Sequence, residues 1–445
     1  MSFETYLKVV SGNFKKAVKV EWLNPDETVN FEFTNSLYDI GVDLSVNYQN
    51  GSRRTCTLTL NNDRNMFPIN FNNIWFGQKF KLWMGVYLDE NTPYYLPQGV
   101  FYVSNPNETY QPSTRTIKIN GVDKWAYLDG TLHGKLPGIY QTNIGNDLCE
   151  ATRRLLMLNN GLNTEDFSSP IDPVSPFISP YFDEKTSYVL TTDTSRVSGK
   201  TYYTYNTKNG TYDEYTGSSV EGKYTKEYVK SCPYTAKVER GKTYADVLLE
   251  YATILCANIY YDVNGRLIVE PMSDVADDIT DTNKEIVWDY TVEEKALLGL
   301  TQTYNFDKVY NDIIVLGNIA NGYQFKARVQ NRNIMSDTCV QKIGLKTKEP
   351  FEDNQYYSDD QCKELAMYYA KIDTILQKSG DISSTPLYHL DVNKLVSVST
   401  PNNHMSKELF LVTGFTLNSS DSMTVNVTSV NVLKDFSVVE VDVYE

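Results

Sequence analysis

Three histidines, His133, His389 and His404, are the side chains best suited to proton transfer near neutral pH or to metal binding. None sits in an HExxH motif or in any i, i+4 pair. A single His beside Gly134, or inside Tyr388-His389-Leu390-Asp391-Val392, reads as a turn or packing residue. No GxSxG presents a serine nucleophile. The six cysteines, Cys56, Cys149, Cys232, Cys256, Cys339 and Cys362, are scattered, and no two lie within four residues. A CxxC redox or metal pair is therefore absent from the sequence. Cys149, Cys256 and Cys362 fall on apolar faces of expected helices and Cys56 in an expected strand, so they read as small buried hydrophobes.

Paired carboxylates occur at Asp277-Asp278, Glu293-Glu294 and Asp359-Asp360. Glycoside hydrolysis needs two carboxyls facing each other across a cleft, which adjacency in sequence does not supply. Asp359-Asp360 is accounted for by the first turn of a helix, where negative charge meets the helix dipole. Asp63 and Asp123 end or follow strands and read as turn residues. Neither a P-loop nor a dinucleotide fingerprint is present. The expectation is a chain with no catalytic, cofactor-binding or metal-binding residues, and with no cofactor.

The elements that carry these residues are mostly strands. Residues 1–135 read as short strands, with Val18–Leu23, Arg53–Leu60, Phe80–Val86, Val100–Val103 and Ile117–Ile119 alternating apolar and polar positions. Asn61-Asn62-Asp63, Asn91-Thr92-Pro93 and Pro106-Asn107 punctuate them. Leu148, Ala151, Leu155 and Leu156 switch to helical spacing and stop at Asn159-Asn160-Gly161. Pro170, Pro173, Pro176 and Pro180 mark irregular chain, followed by a hydrophilic, Tyr-rich segment with a turn at Asn209-Gly210. Together, about 164–240 reads as a β-hairpin surface insertion.

Gly241–Pro271 is an amphipathic helix followed by a hairpin. Thr243 and Asp246 form the expected capping box, and Tyr244, Val247, Leu248, Tyr251, Leu255 and Cys256 form the apolar stripe. Asn264-Gly265 is the expected two-residue turn, with positive φ at both positions. More strands surround Asn321-Gly322. A second helix is expected over Ser358–Lys378, capped by Ser358 and ended by Gly380. Strands return at Leu395–Val398, Leu409–Val412 and Met423–Val427. Residues 433–445 read as an edge strand or a loose tail.

The 445 residues exceed one core, and 41% hydrophobic with 22% charged residues describes a globular chain. No apolar run reaches the length of about 18 residues that crosses a bilayer, so no membrane insertion is expected. The beginning of the sequence lacks a signal-peptide pattern, which sets an expectation of folding in a cytoplasm. A net charge of −15 and a pI near 4.8 disfavour a nucleic-acid grip. The 34 tyrosines suit half-buried sheets and protein interfaces.

Four blocks in order resemble one family. The first runs through Leu58-Thr59-Leu60-Asn61-Asn62, Phe76-Gly77-Gln78, Leu96–Val103 and Ile119–Asp123. The second is the helix-hairpin unit ending Asp262–Leu267. The third is Asn311–Gly317. The fourth is the 358–378 helix leading to Leu387–Val392 and Leu395–Val398. In this order they resemble the baseplate or tail-tip hub proteins of tailed bacteriophages. The insertion is similar to a hairpin module of virion proteins from phages of low-GC Gram-positive bacteria.

The resemblance implies an α+β, β-rich fold with two small β-barrels joined by helical and mixed segments. The first barrel would be 1–135, tail-tube-like. A helical and mixed domain would span 136–300. The second barrel would combine 301–345 with 380–432, with a linking helix segment at 346–379 and a tail at 433–445. It also implies a homotrimeric structural hub in the virion, assembled in the host cytoplasm. Such a hub caps the sixfold tail tube and forms the channel for the tape measure protein and for DNA as passing cargo. Its partners would be the distal tail or tail tube protein, tail spikes or fibres and other baseplate proteins. A receptor- or carbohydrate-binding tail adhesin and a tail-associated cell-wall-degrading enzyme are the alternatives. The Tyr-rich insertion is the best evidence for the first of these, although aromatic enrichment also marks ordinary protein interfaces, and decoration of the outside or contact with a neighbouring baseplate protein is the preferred reading of it. The second would need a lytic domain, for which the segment after the second barrel leaves no room.

Overall fold

A computed structural model of the chain describes residues 3–62, 66–70, 73–111, 114–157, 186–190, 194–196, 202–206, 211–228, 232, 234–255, 257–271, 286–291, 296–320, 322–354, 356, 358–374, 376, 378–400, 405–419, 422–429 and 438–441. The chain divides into two compact units. The first comprises Met1–Lys124, Val263–Gly265 and Ser273–Glu445; the second comprises Trp125–Asp262 and Arg266–Met272.

The first unit begins with helix α1 (Phe3–Val10) and strands β1 (Lys16–Leu23), β2 (Val29–Thr34), β3 (Ile40–Asn47), β4 (Arg54–Asn61), β5 (Lys79–Tyr87), β6 (Pro93–Gln111) and β7 (Thr114–Asp123). The second holds β8 (Tyr140–Thr142), α2 (Leu148–Met157), β9 (Thr186–Leu190), β10 (Tyr202–Asn206), β11 (Thr211–Tyr215), β12 (Tyr224–Tyr228), β13 (Ala236–Val238), α3 (Tyr244–Ile254), β14 (Ala257–Tyr261) and β15 (Leu267–Pro271). The first unit resumes with β16 (Ile286–Thr291), β17 (Leu297–Tyr304), β18 (Asp312–Ala320), β19 (Tyr323–Asn331), α4 (Val340–Ile343), β20 (Phe351–Glu352), α5 (Asp359–Asp373), β21 (Lys378–Ser384), β22 (Leu395–Thr400), β23 (Met405–Leu417), β24 (Met423–Ser429) and β25 (Val438–Val441).

Alternation in sequence becomes alternation in burial. In β4, Cys56, Leu58 and Leu60 point into the core, while Thr55, Thr57 and Thr59 lie on the other face. Phe80, Leu82, Met84 and Val86 of β5 do the same. Thirteen strands of the first unit join into one sheet, with path β17-β21-β24-β23-β3-β4-β7-β6-β5-β1-β2, with β22 branching from β23 and β16 pairing with β22. The β-rich α+β class is as expected. Closure of two separate barrels is not among the described pairings, and β3 and β23 pair edge to edge. Leu44 meets Leu417 and Val46 meets Phe415 in that register. A single hydrophobic core accordingly runs from Val42, Leu58 and Phe101 through to Tyr290, Val396 and Phe415.

Strand β6 changes partners along its length. Its first half pairs with β5, and its second half pairs with β7 alone. A bulge between Ser104 and Asn107, at Pro106, accompanies the change. Gly121 of β7 lies opposite Cys56, where a Cβ would come within 2.7 Å of both Cys56 Sγ and the Phe80 ring.

A second sheet of the same unit, β20-β18-β19-β25, is covered by α5. Cys362, Leu365, Ala366 and Ala370 of the helix pack on Ile313, Val315, Ala327 and Val329. Ser358 Oγ accepts from the Gln361 amide (3.2 Å), as the capping pattern implies. The helix ends at Asp373 with Thr374 as its cap. Gly380, expected just past the helix, is instead paired with Gln302 and Val427 inside β21. Strand pairing from Lys378 onward overrides the glycine stop signal. Val438–Val441 of the expected tail is an edge strand on β19.

In the second unit, Thr243 and Asp246 make the capping box in both directions. Tyr244, Val247, Leu248 and Tyr251 are buried against Leu148, Leu155, Ile259, Leu267 and Val269. The hairpin turn differs from expectation. The Asp262 amide bonds to Arg266 O, leaving Val263, Asn264 and Gly265 in the loop. Of the two expected positive-φ residues, only Gly265 (φ 72°) adopts that conformation. A three-residue loop needs just one such residue. Strands β9–β12 form their own four-stranded sheet within the insertion. The Asn209-Gly210 turn and the proline-rich stretch lie outside the described residues.

Candidate functional site

The sequence singles out few chemical side chains, and the structure does not assemble them into a reaction centre among the described residues. His389 packs under α1. Tyr6 Oη lies 3.1 Å from its Nδ1, and Phe3 and Trp288 have ring centroids 5.6 and 5.5 Å away. Burial pushes its pKa down to about 4, against a smaller opposing contribution from the Val287 backbone. The His133 ring lies tilted against Tyr127, with centroids 4.5 Å apart, and burial lowers its pKa as well. His404, Asp63, Asp277-Asp278 and Glu293-Glu294 lie outside the described residues. Asp359 accepts from the Lys326 amide and the Tyr323 hydroxyl, each at 2.9 Å, and so ties α5 to β19. Cys56, Cys232, Cys339 and Cys362 are buried. No group of three or more potential metal ligands occurs among the described residues.

Asp123 departs from its expected role at a turn. It is buried, and its Oδ2 accepts from the amides of Arg53 (2.7 Å) and Arg54 (3.0 Å) at the start of β4. Three buried ionic clusters were not legible at all. Glu27 Oε1 lies 2.8 Å from both Lys79 Nζ and Lys124 Nζ. Burial alone would raise its pKa, but the charges and hydrogen bonds of Lys124 and Lys79 together outweigh burial and hold it below the usual carboxylate range. Asp312 accepts from Arg328 Nε (2.8 Å) and Gln330 Nε2 (3.0 Å), and from Thr347 Oγ1 (2.6 Å). Burial again raises its pKa, and the Arg328, Thr347 and Gln330 hydrogen bonds again reverse the direction. Arg54 Nη2 pairs with Asp391 Oδ1. Glu27 and Asp312 are held as anions by fixed donors. That suits joining segments and not donating protons, since a general acid needs a pKa near the working pH.

The first unit also presents a continuous polar surface. The solvent face of the run β17-β21-β24-β23-β3-β4-β7 carries Thr301, Thr303, Asp381, Ser383, Thr424, Thr416, Asp43, Ser45, Thr55, Thr57, Thr59, Lys118 and Asn120. These are short and mostly uncharged polar side chains. The face crosses the β23–β3 seam without interruption. An open depression of about 450 Å³ lies on the seam, lined by Asp43, Ser45, Thr57, Asn120, Thr416 and Asn418.

The architecture matches solved tail proteins over nearly its whole length. A 43 kDa tail protein of prophage MuSo2 from Shewanella oneidensis superposes with a TM-score of 0.52 at 12% identity, covering 94% of this chain and 98% of that one. A tail protein from Neisseria meningitidis MC58 gives 0.54 at 9% identity, covering 94% and 97%. The chain shares the fold of these tail proteins. No family model matches the sequence, and no curated relative does.

Proposed function

We propose that this chain is a structural virion protein of a phage tail. On this reading it is a homotrimeric hub at the distal end, where it caps a sixfold tail tube and leaves a channel for the tape measure protein and the ejected DNA. The observation that carries the proposal is the edge-to-edge joining of two sheet halves through β3 and β23. On this reading each chain contributes two neighbouring sheet faces, and three chains contribute six. The full-length likeness to two tail proteins supports the same setting. The net charge of −15 fits a conduit wall that must not retain a polyanion.

The domain division that accompanies this reading keeps a tail-tube-like first barrel at 1–135 and a second barrel that combines 301–345 with 380–432. The partners are other copies of the chain, the tail tube or distal tail protein, and neighbouring spike, fibre or baseplate proteins. The chain is not an enzyme on this reading, and it has no catalytic, cofactor or metal residues.

Light scattering over a range of concentrations, followed by electron microscopy of the particles, tests the proposal. A species of three times 50.8 kDa with a central opening is expected. Specific binding to host glycans by the monomer would favour the adhesin reading, and release of cell-wall fragments would favour the enzyme.

A further inference from the structure

The loop between β19 and β20 carries apolar side chains that the chain does not cover. Ile334 is 68% exposed, Met335 77% and Leu345 53%; Ile343 and Phe306 are exposed as well. Single exposed hydrophobes are ordinary, but a group of them marks an interaction surface. All five belong to one end of the β18–β19 pair. Phe306 precedes β18, which starts at Asp312, and the other four follow β19, which ends at Asn331. Asp312 pairs with Gln330 at that end, while the Ala320–Tyr323 pair marks the other.

Buried hydrogen bonds hold the loop in this shape. Asn311 and Asn331 are both fully buried. Asn311 Nδ2 donates to Thr338 O (3.0 Å) and Gly344 O (2.8 Å), and its Oδ1 accepts from the Lys346 amide (2.8 Å). Asn331 Nδ2 donates to Ser336 Oγ (2.9 Å), and its Oδ1 accepts from the Asn333 amide (3.2 Å). The Ser336 amide bonds back to Asn333 O (2.9 Å), so Ile334 and Met335 stand at the apex of a turn. Lys346 Nζ donates to Phe306 O (3.1 Å) and draws the segment before β18 to the same place. The backbone groups that would be lost by folding these side chains inward are already satisfied in the buried clamp.

The loop also reverses the sign of the chain. From residue 332 to 348 it carries four cations, Arg332, Lys342, Lys346 and Lys348, against one anion, Asp337, in a chain of net charge −15. Lys348 pairs with Asp373 (2.6 Å) and Lys342 with Asp337 (2.9 Å), but Arg332 Nε donates to Gln330 Oε1, a neutral partner. Asp307 and Lys308, beside Phe306, cancel, and Glu349 leaves the sign positive. Apolar tips among basic side chains match a surface that is anionic outside and apolar beneath.

We propose that this loop, with Ile334 and Met335 at its apex, docks on an anionic phospholipid bilayer. The apolar side chains enter the headgroup and acyl boundary of one leaflet, and Arg332, Lys342 and Lys346 face the lipid phosphates. Binding of this kind combines buried apolar area with attraction to anionic lipid and does not span the membrane. The inference goes beyond the hub reading and does not depend on the number of copies.

Co-sedimentation of the full chain with phosphatidylglycerol vesicles, and with phosphatidylcholine vesicles for comparison, tests the docking. The chain is expected to bind the first and not the second, and to be released by salt. Ile334→Ser and Met335→Ser should each weaken binding roughly tenfold through lost apolar burial. Arg332→Gln and Lys342→Gln should each weaken it about fivefold through lost charge. Ile319→Ser, an exposed position towards the opposite end of β18, should bind as the wild type does, and melting temperatures check that every variant is folded. No binding, equal binding to both lipids, or equal binding by all variants would overturn the docking and leave the hub reading standing. Loop variants that alter the mass in light scattering while vesicle binding stays unchanged would also overturn it, reassigning the surface to contact between copies. A chain that binds vesicles through this loop but never forms trimers would sink the hub reading and keep the docking site.

Discussion

Arg54 and Asp391 are 337 residues apart in sequence, yet Arg54 Nη2 lies 2.5 Å from Asp391 Oδ1, with the arginine side chain 2% exposed. Arg54 opens β4 in the N-terminal half of the long sheet, and Asp391 precedes β22 in the C-terminal half. The pair fastens the two halves close to the β3–β23 junction. Gln98 adds a parallel tie, donating from Nε2 to Tyr388 O at 2.9 Å.

Asp391→Ala leaves the Arg54 guanidinium buried without its counter-charge. Breaking a buried pair by removing one partner costs about 3–5 kcal/mol, and the partial exposure of Asp391 places this case near 3. Chemical denaturation should show a lower midpoint for the transition of the first unit. An unchanged midpoint would mean that the pair does not hold the halves together.

His389 makes stability depend on pH. Its pKa falls from an ordinary value near 6.5 to about 4 in the folded chain. Between these values the unfolded chain binds the proton and the folded chain does not, so stability is fully present above pH 6.5 and is lost as pH falls towards 4. The full loss is about 3 kcal/mol. His389→Gln should flatten this part of the curve. Wild type and variant are compared by melting temperature at steps from pH 7 to pH 4; parallel curves would remove His389 as the cause.

Glu27 neutralises two lysines at once. Glu27→Gln strands both Lys79 and Lys124 and should cost about 3 kcal/mol. Lys79→Met should cost less, because Glu27 keeps Lys124 at 2.8 Å. The order of the two unfolding midpoints is the check, and the reverse order would contradict the shared-anion arrangement.

Gly121 is required by closeness and not by backbone conformation. A methyl group there meets Cys56 Sγ and the Phe80 ring at 2.7 Å and Phe101 Cβ at 3.0 Å. Gly121→Ala should destabilise by about 1–3 kcal/mol through overpacking. Calorimetry reads the shift, and an unaltered melting temperature would show that the core gives way at no cost.

The local elements were readable because their causes are local. Alternation in Arg54–Asn61 specifies which side chains turn inward, and Thr243 with Asp246 specifies where α3 begins, because each depends on neighbours within a few residues. Local signals failed where a distant partner competed with them. Gly380 is a good helix terminator, but two flanking strands claim it. Asn264-Gly265 is a good two-residue turn, but the Asp262–Arg266 bond sets a longer loop. Asp123 looks like a turn residue until the Arg53 and Arg54 amides, about 70 positions earlier, are brought to it.

The sequence by itself therefore determined the β-rich class, the helix starts, the inward faces and the scarcity of chemical motifs, since period, capping and composition act over short range. Only the tertiary structure decided the rest. Pairing β3 with β23 joins N-terminal and C-terminal strands into one sheet, because unpaired backbone groups along both edges are satisfied at once. It also assembles Glu27 with Lys79 and Lys124, and Arg54 with Asp391, because a buried charge must find its counter-charge wherever the chain brings one. No spacing rule in the sequence encodes those meetings.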